Sequence, residues 1–178
     1  MYTKQEPKRR KFLKIASASS VAGAVGGIPS MFISNQAVAQ AQLGADTFAT
    51  LTKIARDIFP HDKFGNDLYA KAVGIYGDQV KQDVALRTLL IAGVASVNEA
   101  ANKQFGKPYT QFPEESSRLI ILKAMDKTPF FLKIRGDLVV SLYNQPAVWA
   151  KLGYQGPSAG SGGYINRGFN DQNWMDKA

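Results

Sequence analysis

Apolar residues recur at helical spacing through nearly all of the sequence between Phe48 and Leu152. Residues three and four positions apart lie on one face of an α-helix, so this spacing predicts helices that bury one face each. Proline, glycine and asparagine interrupt the pattern and mark the helix ends. We therefore predict an all-α domain of about five helices, over residues 48–59, 66–76, 80–105, 113–125 and 128–144, with a short helical turn at 146–152.

The predicted helices each carry an apolar face for the core. The long helix at 80–105 also carries charged residues, including Lys81, Arg87 and Glu99, which favours a core helix over a membrane surface. The expected core residues of the last three long helices are Val84, Leu89, Leu90, Val94 and Val97, then Leu119, Ile120, Leu122 and Met125, then Phe130, Phe131, Ile134, Leu138, Val139 and Leu142.

The first 39 residues follow a different pattern, typical of a twin-arginine export signal. Arg9 and Arg10 stand among lysines and precede Phe12 and Leu13, and a weakly apolar stretch extends to Ile33. A basic start, an apolar stretch and small residues at a cleavage point define such a leader. The leader predicts recognition by the Tat translocase and a periplasmic location.

Two A-x-A sequences offer the cleavage point. Ala37-Val38-Ala39 predicts a cut before Gln40, and Ala39-Gln40-Ala41 predicts one two residues later. The alternative is a retained transmembrane anchor, because no charged residue occurs between Lys14 and Asp46. Serine, glycine and proline dilute this stretch, which favours a cleaved signal. The predicted organisation is a signal at 1–39, a helical domain at 40–153 and a C-terminal segment at 154–178.

Most of the net charge lies in the leader. The chain has 22 basic and 14 acidic residues, a net charge of +8, and six of the basic residues and one acidic residue precede residue 40. The remainder therefore carries 16 basic against 13 acidic residues, a net charge of +3. Such a mild balance predicts no nucleic-acid partner.

The chain contains no cysteine and a single histidine, His61. Disulfides, thiolate-held iron–sulfur clusters, covalent c-type haem and cysteine zinc sites are therefore excluded. We expect neither a cofactor nor a metal in this chain, and a structural or solvated role for His61.

The C-terminal segment has a composition of its own. Six glycines occur between Gly153 and Gly168, and helical spacing is lost there. The segment nevertheless carries several large apolar side chains. It therefore packs either against its own helices or onto another protein, for which aromatic anchors are typical. These side chains are Tyr154, Tyr164, Ile165, Phe169 and Trp174.

A composite pattern in the last ~50 residues resembles the gluconate 2-dehydrogenase subunit 3 family. The leader and Ile58-Phe59-Pro60 agree with it. The pattern consists of Phe131, Arg135-Gly136-Asp137, Leu142-Tyr143-Asn144, Pro146, Trp149, Leu152-Gly153-Tyr154, Gly156-Pro157, Gly162-Gly163-Tyr164, Arg167-Gly168-Phe169, Asp171 and Trp174.

The resemblance implies a non-catalytic small subunit. Its partner would be an FAD-containing flavoprotein of the glucose-methanol-choline oxidoreductase type without an export signal, with a multihaem cytochrome c as a third subunit in many complexes. The small subunit would support export, maturation and stability of the flavoprotein, and the complex would place it at the periplasmic side of the membrane. The implied partner interface comprises Arg135, Asp137, Tyr143, Trp149, Tyr154, Gly163, Tyr164, Arg167, Phe169 and Trp174.

Two other functions compete with this interpretation. An independent periplasmic helical binding protein would fold and travel alone. A serine hydrolase would use Ser158 in Gly156-Pro157-Ser158-Ala159-Gly160, but a nucleophile elbow needs a strand before it and a helix after it, and both are missing from the predicted elements. Arg135-Gly136-Asp137 matches an adhesion tripeptide, but it lies inside a predicted helix, where we expect Gly136 to permit close helix packing.

Overall fold

A computed structural model describes residues 34–164, and 74% of them are helical. No strand occurs within this range, which confirms the all-α class, and the helices are more numerous than the about five predicted. The α-helices are α1 (Asn35–Leu43), α2 (Ala45–Ile58), α3 (Asn66–Val73), α4 (Tyr76–Gln82), α5 (Val84–Phe105), α6 (Glu115–Ala124), α7 (Pro129–Ser141) and α8 (Pro146–Leu152). Short 3-10 helices cover Tyr109–Gln111 and Ser158–Ser161.

Side-chain caps and glycines set several of these boundaries. The Asp83 carboxylate accepts a hydrogen bond of 2.8 Å from the Leu86 backbone N–H, so α5 begins at Val84 and not at Val80 as predicted. Thr128 caps α7 as its sequence predicts, because its hydroxyl accepts from the Phe131 N–H. Gly106, at φ +72°, ends α5 in the left-handed region that favours glycine.

Helix α2 lies at the centre of the core and contacts α1, α3, α5, α6 and α7. Three fully buried tyrosines, Tyr69, Tyr76 and Tyr109, share this core with aliphatic side chains. Each tyrosine hydroxyl donates a hydrogen bond of 2.7 or 2.8 Å, so their burial leaves no hydroxyl unsatisfied. The buried aliphatic residues include Leu51, Ile54, Leu90, Val97, Ile134, Leu138 and Leu142.

Close packing between α5 and α7 depends on Gly93. The Phe130 ring occupies the space that a β-carbon at Gly93 would need. Gly136, in contrast, has nothing within 4 Å of its β-carbon position. The prediction that Gly136 permits close packing of helices within this chain was therefore wrong, and Gly93 has that role.

Three residues predicted for the core are exposed. Val84 occupies the first position of α5, beyond the face that begins at Leu86. Ile120 points outward because Arg118, Ile121 and Leu122 take the inward positions of α6. Val139 lies about 100° around α7 from the buried Leu138, since each residue advances a helix by that angle.

Helix α1 contains both predicted cleavage points. It begins four residues before Ala39, which is fully buried, and it packs against α2, α3 and α4. Residues 34–164 belong to a single compact unit. The helical part of this unit therefore starts before the boundary at residue 40 that the sequence predicts.

Helix α5 is long and apolar enough to cross a membrane by length and composition alone. Its inward face is buried by α2, α6 and α7, where Leu86, Leu90, Val94 and Val97 pack into the core. A long core helix of a globular domain has these same properties, and we interpret α5 in that way.

Candidate partner-binding surface

Helix α7 is apolar on both its inner and outer sides. Phe130, Ile134 and Leu138 are buried, whereas Leu132, Val139 and Val140 are exposed over 52, 54 and 63% of their surface. We name Leu132, Gly136, Val139 and Val140 the α7 outer face, because their spacing of four, three and one residues places them on one side of the helix. An exposed apolar helix face is typical of protein–protein contact.

A groove with a volume of about 490 Å³ borders this face. Ile75 and Gln79 line it from the region of α4, and Gly136 and Val140 line it from α7. Because Gly136 has no side chain and no close neighbour, the α7 backbone is accessible at this point. The α7 outer face is apolar, whereas the groove beside it is also lined by polar side chains, those of Gln79, Asp137, Ser141 and Asn144.

Asp137, one of the predicted interface residues, is engaged within the chain. Its carboxylate accepts hydrogen bonds of 2.8 Å from the Tyr76 hydroxyl and from the Lys133 ammonium group. Burial and the neighbouring Asp137 charge raise the pKa of Tyr76. The Tyr76 contact joins α4 to α7, so Asp137 has a structural role beside the groove.

Arg135 lies on the other side of α7. It borders a smaller groove, of about 170 Å³, together with Leu119, Lys123 and Phe131. Its guanidinium has no ion pair among residues 34–164. Arg135 and Asp137 therefore border different grooves, and only the arginine has its charge available to another molecule.

Tyr143 connects the end of α7 to the turn after α2. Its hydroxyl lies 2.7 Å from Nε2 of His61, and its ring makes an edge-on contact with Phe59 at 5.7 Å between centroids. Burial raises the pKa of the Tyr143 hydroxyl. His61 also packs on Phe64, with ring centroids 4.2 Å apart. These contacts give His61 a structural role, as its sequence context predicts.

Trp149 and Tyr154 extend this aromatic group beyond α8. The Trp149 indole N–H donates a hydrogen bond of 2.6 Å to the Tyr143 carbonyl oxygen, and its ring meets Tyr154 edge-on at 5.6 Å. Gly156, at φ +93°, lies against the Trp149 ring. Tyr143, Trp149 and Tyr154 are thus brought together, and Tyr154 remains 49% exposed.

The rest of the predicted interface lies at or beyond the end of the described chain. Gly163 and Tyr164 follow the 3-10 helix at Ser158–Ser161, and Tyr164 is 56% exposed. Arg167, Phe169 and Trp174 lie outside the described residues, as do the predicted export residues Arg9, Arg10, Phe12 and Leu13.

Ser158 does not lie in a nucleophile elbow. Residues 154–157 have no regular secondary structure, and Ser158 begins a short 3-10 helix. A nucleophile elbow requires a strand before the serine, and residues 34–164 contain none. The sequence around Ser158 is therefore a glycine-rich turn in this chain.

One ion pair among residues 34–164 is almost fully buried, and it was missed by sequence reasoning. The Arg118 guanidinium donates from Nε and Nη2 to the two Asp57 carboxylate oxygens at 2.7 and 2.8 Å. Tyr109 donates to the same carboxylate at 2.7 Å, and Arg118 Nη1 also reaches the carbonyl oxygens of Phe112 and Pro113. The hydrogen bonds to Asp57 raise the pKa of Arg118, and burial raises the pKa of Tyr109.

This Asp57 cluster connects α2, α6 and the 3-10 helix at Tyr109. All its charged groups are paired and almost fully buried, with side-chain exposures of 4 and 1% for Arg118 and Asp57. A reacting group would have to be accessible to substrate, so we assign the cluster a structural role. A charged residue at an inward helix position, Arg118, was the sequence signal that could have revealed it.

A separate groove of about 450 Å³ lies beside α2 and α3. Its lining includes the apolar Phe48 and Ala70 and the charged Lys53 and Asp67. Burial is the largest cause of the lowered pKa of Lys53. This groove has the mixed lining of a small-molecule site and is distinct from the α7 outer face.

The α7 outer face was also missed by sequence reasoning. The signal for it was the presence of apolar residues all around α7, since a surface helix normally has one apolar side.

No protein-family model, curated protein or solved structure shows significant similarity to this chain.

Proposed function

We propose that this chain is the non-catalytic small subunit of a periplasmic FAD-dependent sugar or alcohol dehydrogenase complex, of the gluconate 2-dehydrogenase type. It provides the twin-arginine leader for the export of the flavoprotein subunit and supports the maturation and stability of that subunit. Substrate oxidation takes place in the flavoprotein, and a cytochrome c subunit or a quinone receives the electrons.

The α7 outer face is the observation that carries this proposal. Three apolar side chains there are more than half exposed, around a glycine in the middle of a helix. Glycine in such a position destabilises a helix by about 1 kcal/mol relative to alanine. No neighbour within the described chain requires Gly136 to be glycine. A partner whose backbone approaches α7 closely would account for both the glycine and the exposed apolar residues.

The aromatic residues after α8 add a second support. Tyr154 and Tyr164 are about half exposed, and Trp149 holds Tyr154 in place through an edge-on contact. Rigid aromatic side chains are frequent anchors of protein interfaces. The resemblance of residues 131–174 to the small subunits implies that these aromatics also contact the partner.

The leader fits the same function. The twin-arginine pathway exports folded proteins, and this chain carries no sequence motif for a cluster or nucleotide that would require folding before export. A flavoprotein partner that binds FAD in the cytoplasm supplies that requirement. The leader of the small subunit then directs the whole folded complex.

Substitutions on α7 test the interface. Val139→Gln with Val140→Gln makes the α7 outer face polar, and we expect roughly a tenfold or greater loss of co-purified flavoprotein, because burying two unpaired amides costs more than about 1.4 kcal/mol. Val84→Gln is the matched control, since Val84 lies on α5 and is more exposed than either Val139 or Val140. Equal recovery of flavoprotein with both variants would contradict the assigned interface.

Replacing Arg9 and Arg10 by lysine tests the export role. We expect the flavin-dependent dehydrogenase activity in the periplasm to fall to a small fraction of its normal level, while the activity in the cytoplasm rises. Normal periplasmic activity with this double variant would contradict the export role.

The independent binding protein remains the second candidate, and the groove at Lys53 is the observation that favours it. A lone, cooperatively folding chain that binds a small acidic ligand, with binding lost in Lys53→Met, is the result that this alternative predicts. If the variant with Val139→Gln and Val140→Gln still binds this ligand, the ligand site at Lys53 is distinct from the α7 outer face.

A further inference from the structure

The two predicted cleavage points of the leader lie within a folded and packed helix. Helix α1 spans Asn35–Leu43, so the bonds after Ala39 and after Ala41 are both inside it. The Ser34 hydroxyl caps its start by accepting from the Ala37 N–H, and the Gly44 N–H caps its end by donating to the Gln40 carbonyl oxygen. The helix that contains the predicted processing site is therefore capped by hydrogen bonds at both ends.

The α1 backbone packs directly on glycines. A β-carbon at Gly77 would lie 2.7 Å from the Ala39 backbone nitrogen and 2.9 Å from the Asn35 carbonyl oxygen. One at Gly74 would lie 3.2 Å from the Gln36 nitrogen. We name the surface formed by Gly74 and Gly77 the α1 groove. It holds the first half of α1, which is the part that cleavage after Ala39 would remove.

The alanine side chain that both predicted sites share is also covered, whereas Ala37 and Ala41 are exposed. In an A-x-A site the alanines are the recognition residues, and Ala39 is common to both predicted sites. Ala39 is completely buried and Leu43, one turn later, is buried as well. A protease cuts a segment in an extended and accessible conformation, so α1 must leave its groove before either bond can be cut.

We propose that α1, packed in the α1 groove, masks the processing site of the leader, so that the folded protein keeps its leader. This inference rests on the proposed function for the existence of the leader. It extends that function, because a chain that keeps an apolar leader after export can attach its complex to the membrane without a further subunit.

The test uses the full chain in detergent, purified leader peptidase and the intact mass of the products. We expect the wild-type chain to resist, whereas a synthetic peptide of residues 30–46, which lacks the groove, is cut after Ala39 or Ala41. In Gly77→Val the β-carbon meets backbone atoms of α1, and we expect the cut fraction to rise at least roughly tenfold, since cleavage follows the population of the open form.

Gly136→Val is the matched control. It places the same side chain at another helical glycine, where nothing lies within 4 Å, and should leave the chain resistant. Amide hydrogen exchange of the wild-type chain gives a second measurement that is independent of any variant folding: residues 38–43 should exchange slowly, as packed helices do.

Three results would overturn the inference: a wild-type chain that is cut as fast as the peptide, an α1 that exchanges at the rate of an unfolded segment, or a peptide that is not cut at all. Because purified components are used, these results are independent of export. Failure of the Arg9→Lys/Arg10→Lys experiment would instead overturn the proposed export function.

Discussion

At the residue scale, the Asp57 cluster is a buried group of charged and polar side chains whose members depend on one another. Two charges and a tyrosine hydroxyl satisfy one another inside the protein, where water does not reach them. Removing one member of such a group leaves the other charge buried and unpaired, which costs much more than losing an exposed ion pair.

We therefore predict that Arg118→Met lowers the free energy of unfolding by about 3–5 kcal/mol. Lys81→Gln is the control: it breaks the exposed Lys81–Asp78 ion pair and should change stability by less than about 0.5 kcal/mol. Urea denaturation of the purified chain measures both. A loss below about 1 kcal/mol in Arg118→Met would contradict the role assigned to the cluster.

The buried tyrosines predict a loss of stability at alkaline pH. The pKa values of Tyr76 and Tyr109 are raised above the ordinary value of 10.0, mainly by burial. The unfolded chain then releases protons first as pH rises past 10, so the stability is complete below pH 10 and falls above it. We expect up to about 1.4 kcal/mol of loss per pH unit for each tyrosine.

Tyr76→Phe should reduce this alkaline dependence. The phenylalanine variant loses the hydrogen bond to Asp137 and is less stable at pH 8, but it no longer contributes a titrating hydroxyl above pH 10. Urea unfolding at pH 8, 9.5 and 11 gives the slopes. An unchanged slope in this variant would show that Tyr76 is not responsible.

At the element scale, the contact between α5 and α7 depends on a single glycine. A β-carbon at Gly93 would overlap the Phe130 ring, so Gly93→Ala should lower the free energy of unfolding by about 1–3 kcal/mol through overpacking. Adding Phe130→Leu makes room and should recover part of that loss. A double-mutant cycle measures the coupling, and simple additivity would contradict the contact.

Gly136→Ala, on α7, has the opposite expected effect to Gly93→Ala. Nothing lies near its β-carbon position, and alanine is the better helix former. We expect the isolated chain to gain up to about 1 kcal/mol of stability. Binding to the flavoprotein should weaken at the same time if the partner backbone approaches there. A stabilised variant with normal binding would remove the partner-based explanation for this glycine.

The sequence predicts most of these elements but only part of their packing. Helical spacing, Thr128 and Gly106 correctly locate α7 and the end of α5, because caps and periodicity act within a few residues. The exposure of Val139 depends on which of the apolar sides of α7 meets the core, and local sequence does not determine that. Helix α1 was not predicted, because its small residues also match a signal cleavage site.

The candidate surface is predictable to a similar extent. The C-terminal pattern includes Tyr143, Trp149 and Tyr154, which contact one another because they lie close in sequence around α8. It does not separate Arg135 from Asp137, because the Tyr76 contact that engages Asp137 joins residues 61 positions apart. Long-range contacts of this kind require the fold.

At the scale of the whole molecule, the helical unit has a well-packed interior and an outer surface that is apolar on α7 and aromatic after α8. A solitary protein gains nothing from such a surface, whereas a subunit buries it against its partner. Under the proposed function, the leader would serve export and this surface would serve attachment to the flavoprotein.

Purification of the full chain from the periplasm and membranes of its own cells, followed by absorbance spectroscopy and mass spectrometry, tests the central claim most directly. We predict a yellow complex that shows oxidised flavin and contains one large flavoprotein in a fixed ratio to this chain. A colourless chain purified alone, with no flavoprotein in either fraction, would contradict the subunit function and favour the independent binding protein.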